Sequence, residues 1–182
     1  MKKTLITILA TVLVCCFAVG GTLAWLMDTS ETLTNVFTVG NIDISLAETK
    51  SDFKMVPGNA VEKDPIITVK SGSEKCYVFV KVEVENNTFT DDSKYLSVTL
   101  ADGWTLLKDD VYYYNTTIDA LNADKTIQVL KDDQVKVNDT VTKAMMDAIN
   151  EDNKPTVIVT AYAVQVEAGV DATAAWNATF GA

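Results

Sequence analysis

The sequence predicts a mainly β fold: a jelly-roll-like β-sandwich with short helical decorations, preceded by a signal peptide. Three observations predict it. Cys76 to Glu85 alternates strictly, with Cys76, Val78, Val80, Val82 and Val84 on one face and Lys81, Glu83 and Glu85 on the other. Thr156 to Glu167 is a long β-rich run, apolar on both faces in places, which reads as a central strand. Turn signals recur between the apolar runs, and only two short stretches read as helix.

The elements follow in order. Val36 to Leu46 is strand-like, with Ile42, Ile44 and Leu46 on one face. Val56-Pro57-Gly58-Asn59 signals a turn, and Ile66 to Lys70 a short strand. Ser71-Gly72-Ser73 turns the chain into the Cys76 strand. Asn86 to Lys94 is polar and reads as a loop, and Tyr95 to Leu100 alternates again. Ala101-Asp102-Gly103 reads as a tight turn into Trp104 to Leu107. Val111 to Tyr114 and Thr126 to Leu130 complete the strands, with Gln134 to Val137 as an extension of the latter. Val141 to Asn150 reads as a helix behind a Thr140 cap, and Ala172 to Ala178 as an Ala-rich helix packed through Trp176.

The N-terminus has the order of a secretory signal. Lys2 and Lys3 precede an apolar run from Leu5 to Val19, then Gly20-Gly21 and a small residue, Ala24. A spanning helix needs about 20 apolar residues. Thr4 to Leu26 is only marginally that long, and the double Gly weakens its end. An uncleaved helix and a lipoprotein anchored through Cys15 or Cys16 are the competing readings. The organisation expected is a signal peptide over 1–24, an extended segment over 25–40 and one domain over 41–182, secreted to the cell surface or matrix. Membrane contact is then through the signal peptide alone, before cleavage.

Formal net charge is −10, and cleavage deepens it by removing Lys2 and Lys3. So acidic a chain is a poor partner for nucleic acid or anionic membranes. Only Cys76 remains in the mature part, so packing rather than an internal disulfide must hold the fold. The chain has no His and no Arg. Ser-His-Asp chemistry, two-His zinc motifs and bidentate phosphate clamps are therefore absent. The acidic pairs Asp91-Asp92, Asp109-Asp110 and Asp132-Asp133 sit in polar turns and offer at most weak calcium binding. No cofactor, metal site or catalytic residue is expected. Trp104 and Tyr112 to Tyr114 read either as core and rim or as a sugar-stacking platform. Asn-x-Thr triplets at Asn86, Asn115, Asn138 and Asn177 occur in so Asn- and Thr-rich a chain by chance.

The run Gly20 to Asp28, followed by Asn35 to Ile44, resembles the N-terminus of the camelysin–TasA family of Gram-positive exported proteins, which carry a SipW-type signal peptide. Val56-Pro57-Gly58, Lys63-Asp64-Pro65, Thr160 to Gln165 and Ala175-Trp176 extend the resemblance over nearly the whole chain. It implies a jelly roll, processing by a dedicated signal peptidase and a role in extracellular fibres of a biofilm matrix. Some members carry a metalloprotease label, which fits poorly here because zinc takes His or Cys ligands. An extracellular peptidase or a carbohydrate-binding surface module is the alternative function.

Fibre assembly has a physical route. A sandwich missing an edge strand leaves unpaired backbone and an apolar groove. A segment from a second copy can fill it. The mature N-terminus is the natural donor: Trp25, Leu26, Leu33, Val36 and Phe37 are its apolar anchors. Thr29, Thr32 and Thr34 favour an extended chain. Head-to-tail insertion does not close, so it yields filaments. The competing reading makes residues 25–40 the first strand of their own sheet.

Overall fold

A computed structural model of the chain describes residues 40–49, 54–90 and 93–181. These belong to the second of two units, Val39–Ala182. The signal peptide, the donor anchors Trp25, Leu26, Leu33, Val36 and Phe37, and Asp91-Asp92 lie outside the described residues. Among the described residues the fold is mainly β, with several antiparallel sheets and no closed barrel. Among the described residues no helix is long and apolar enough to cross a membrane.

The longest strand organises the molecule. β4 (Ser73–Glu85) turns Cys76, Val78, Val80 and Val82 into the core at 0–6% exposure, as the alternation predicts. Its branched valines suit a pleated, buried surface. Along one edge it pairs with β13 (Thr156–Gln165), in register from Thr156↔Glu85 to Gln165↔Cys76. Along the other edge it meets β10 (Ile118–Ala120) and then β9 (Val111–Tyr114), which pairs onward with β8 (Trp104–Lys108).

The facing layer is built from β1 (Ile44–Ala47), β3 (Ile66–Val69) and β11 (Lys125–Gln128), and from β2 (Ala60–Glu62), β12 (Gln134–Val137) and β7 (Leu96–Ser97). Backbone bonds Val129 N–H to Pro65 O (3.2 Å) and Lys63 N–H to Asp133 O (2.8 Å) carry the ladder from one trio into the other. Between β11 and β12 the strand breaks at Lys131–Asp133, where Asp132 (φ 55°) and Asp133 (φ 53°) are left-handed. That break makes Gln134–Val137 a strand of its own rather than an extension, and β11 itself ends at Gln128. Ile67 and Val69 meet Val78, Val80 and Val82 in one shared core.

Turn chemistry works as expected. Gly58 (φ 78°) follows Pro57, and Asn59 N–H returns to Val56 O at 3.0 Å. Gly103 (φ 96°) leaves room for the Tyr114 ring, which a Cβ there would approach to 2.7 Å.

Four expectations are corrected. Asn86–Lys94 is not a plain loop: Thr88–Thr90 (β5) and Ser93–Lys94 (β6) form a hairpin. The helix expected over Val141–Asn150 shrinks to α1 (Lys143–Asp147), capped by Thr142, whose Oγ1 accepts the Met145 N–H at 3.3 Å. Ile42 precedes rather than joins β1. Most consequential, β13 is not central: among the described residues it pairs with β4 alone. Its two apolar faces have another cause. One meets the core through Val157, Val159, Ala161 and Ala163, and the other lies under α2 (Ala172–Phe180).

α2 begins at Asp171, whose Oδ1 accepts the Ala174 N–H at 2.8 Å. Trp176 anchors it, as expected, with its ring 5.0 Å from Phe79 and 5.2 Å from Tyr162. This is a second, smaller core on the outer face of the β4 sheet.

Candidate functional site

The β13–β1 side of the molecule carries the open chemistry. Cross-strand partners share a face, so Val157, Val159, Ala161 and Ala163 point inward with Val84, Val82, Val80 and Val78. Val78 and Val80 are fully buried, yet the β13 residues opposite them stay partly exposed. β1 repeats this. Ile44 and Leu46 pair with Val69 and Ile67, which are fully buried, while Ile44 is partly exposed and Leu46 is 38% exposed. A sealed core would bury both members of each pair. Among the described residues β1 pairs with β3 alone and β13 with β4 alone, and the two strands lie close to each other with a partly exposed apolar seam along them.

At its Thr156 end the seam meets a cavity of about 520 Å³. Val61 and Val135 come from the second layer, Met146 and Ile149 from α1 and the chain just after it, Pro155 from just before β13 and Val157 from its start. The charged groups lining it are Lys63 and Lys154, and among the described residues no carboxylate does. Lys63 is buried, and its Nζ lies 2.8 and 2.9 Å from the two Glu48 oxygens. A buried cation needs such a partner. Lys154 is exposed and pairs with Glu151 at 3.0 Å, a surface contact worth little.

The opposite end of β13 receives the incoming chain. Asn41 O accepts the Glu74 N–H at 2.9 Å. Gly40 lies so close that a Cβ there would sit 2.9 Å from Glu74 Cγ and 3.4 Å from the Gln165 amide nitrogen. The chain therefore enters near Gln165, while the cavity opens near Thr156, about 30 Å away along a ten-residue strand.

The other candidates dissolve into structure. Trp104 and Tyr114 pack edge to face at 5.2 Å against the main core, while Tyr113 points to the second core, so the four aromatics form no shared platform. Asp109 and Asp132–Asp133 occupy left-handed turn positions, and among the described residues no three His, Cys, Asp or Glu side chains gather to hold a metal. Asn138 is engaged on both sides, accepting from Ser97 Oγ at 2.6 Å and donating to Lys94 O at 2.8 Å. Cys76 is fully buried, and burial pushes its thiol up to about 11. Sequence reasoning did not single out the partly exposed inward face of β13 and β1. Its only trace in the sequence was the small pair Ala161 and Ala163 on the inward face of an otherwise branched strand.

The chain matches no protein-family profile, no curated protein and no solved structure.

Proposed function

We propose that this chain is a secreted structural subunit of extracellular fibres or of a biofilm matrix, built on a jelly-roll-like β-sandwich. Subunits join head to tail when the N-terminal segment of one copy inserts into the seam of the next. The observation that carries this reading is the half-open inward face of β13 and β1 against fully buried partners. An inserted strand would supply ladder hydrogen bonds to the edge of β13 that has no strand partner among the described residues, and side chains to the seam. Each Leu, Val or Phe it buries contributes roughly 1.5–3 kcal/mol. Entry of the chain at one end of β13 and a cavity at the other suit propagation in one direction. Catalysis plays no part in this reading, because a chain without His or Arg offers few general acids, bases or oxyanion clamps.

The test deletes residues 25–34 from the mature chain. Sedimentation and electron microscopy should find filaments of the intact mature protein and folded monomers of the shortened one. Equal polymerisation of both sinks the donor role. A shortened chain that is unfolded by circular dichroism assigns the segment to its own subunit's core.

A further inference from the structure

We propose that the crossing point between copies lies at Gly40: the chain from Asn41 to Thr49 stays in its own sheet, and only residues before Gly40 are exchanged. The inference rests on the donor-strand reading above and adds which part of the chain moves. β1 is held at both ends as well as along its length. At its start the Lys70 N–H donates to Asp43 O at 2.8 Å, and the Asp43 N–H donates to Ser73 Oγ at 3.1 Å. Ser73 is itself 1% exposed, and the Glu74 N–H donates to Asn41 O at 2.9 Å. Along its length β1 pairs with β3 from Ile44↔Val69 to Ala47↔Ile66. Past its end two adjacent residues are gripped by two others. Glu48 meets the Lys63 Nζ at 2.8 and 2.9 Å, and the Asp64 carboxylate accepts both the Thr49 N–H (3.0 Å) and its hydroxyl (2.7 Å).

Moving β1 to another copy would first break that ladder and both of its anchors. It would uncover Ile67 and Val69, which are fully buried, and part the buried Lys63 ammonium from Glu48. Exchange of the chain before Gly40 disturbs none of these contacts. Its reach suffices: fully extended, residues 25–39 span about 50 Å, against about 33 Å for the ten-residue β13. Each subunit then keeps its own β1 as one wall of its own seam. A fibre end presents a finished acceptor, and elongation needs no opening of the subunit that receives the donor.

The experiment pairs Ser45→Cys with Thr68→Cys in the full mature chain. The two positions face each other in the β1–β3 register. Facing Cα atoms of an antiparallel ladder lie about 4.5–5.5 Å apart, within reach of a disulfide. Cys76 is fully buried and stays out of the reaction. The monomer is oxidised before assembly begins. It should carry a link within one chain on a non-reducing gel, and its melting temperature should rise. By light scattering it should elongate at the rate of its reduced form, and its boiled filaments should run as monomers without reductant. A link that does not form in the monomer overturns the proposal. So does a locked chain that elongates only after reduction, or filaments that oxidise into covalent multimers, because β1 then crosses between copies. The deletion of residues 25–34 keeps the two readings apart. If the shortened chain still elongates, the donor reading fails and takes this one with it. If the shortened and the locked chains both stop, the donor reading survives and the crossing point at Gly40 falls.

Discussion

Ala163 stands directly opposite Val78 across the β4–β13 ladder, yet Val78 is fully buried and Ala163 remains partly open. Neighbours on one face of a sheet normally share their solvent environment. Here a single ladder step of about 5 Å separates a packed interior from an accessible seam.

That step predicts opposite responses to substitution. Val80→Ala removes methyl groups from a sealed core and should cost about 2 kcal/mol in urea denaturation. Ala161→Leu or Ala163→Leu adds bulk at positions that are only partly buried, so the melting temperature should hold or rise. The same Leu occupies the volume an incoming strand needs, so elongation should stop. A Leu variant that polymerises normally removes the seam from assembly. One that loses several kcal/mol of stability means the space was already filled.

The second prediction concerns the helix on the outer face. Trp176 is 5% exposed and packs on Phe79, Tyr162 and Phe180, but its indole N–H finds no acceptor among the described residues. Trp176→Ala should cost roughly 3–5 kcal/mol, as large aromatic deletions do. Trp176→Phe keeps most of the contact area and removes an unsatisfied donor, so it should cost under about 1.5 kcal/mol. Equal losses from both, measured by chemical denaturation, would mean the indole nitrogen is bonded after all.

The third concerns processing and catalysis. Mass spectrometry of secreted protein should place the N-terminus within a few residues of Trp25, because Gly20-Gly21 and Ala24 end the apolar run. An extracellular form that retains Met1 contradicts this. Purified mature protein should not digest casein in a zinc-dependent manner, since zinc has no His and one buried thiol to bind. Activity lost to a chelator and regained with zinc would overturn that expectation.

How much of this was legible in the sequence depends on how local the signal is. The Cys76 alternation, the Pro57-Gly58 turn and the Trp176 helix rest on residues next to one another, and each is found where the pattern puts it. β13 was misplaced because periodicity records coverage of a face without saying what covers it. Tyr162 and Val164 are covered by a helix, and a neighbouring strand would leave the same pattern. The β5–β6 hairpin escaped because its polar residues are paired through the backbone, which composition does not register. The cavity was invisible for a related reason. Val61, Val135 and Val157 come together only through two ladders and a helix distant in sequence.

The last prediction follows from Cys76. Its thiol is fully buried among Val78, Val80 and their neighbours, and burial raises its pKa from 9.0 to about 11. The unfolded chain exposes the same thiol at its ordinary value. Between pH 9 and 11 the unfolded state therefore releases this proton while the folded state keeps it. Fewer protons on the unfolded side make stability fall as pH rises through that window. With the two pKa values two units apart, about 2 kcal/mol is lost by pH 11 and essentially nothing below pH 8. Lysines and tyrosines titrate nearby, so the comparison needs Cys76→Ala, which removes this group and leaves theirs. Denaturation at pH 8 and pH 10.5 should give a smaller pH-dependent loss for Cys76→Ala than for the parent. In the native state a thiol reagent should label Cys76 only as fast as the protein opens. Rapid labelling at pH 8, or equal pH-dependent losses for the two proteins, would place the thiol nearer to solvent than the β4 register puts it.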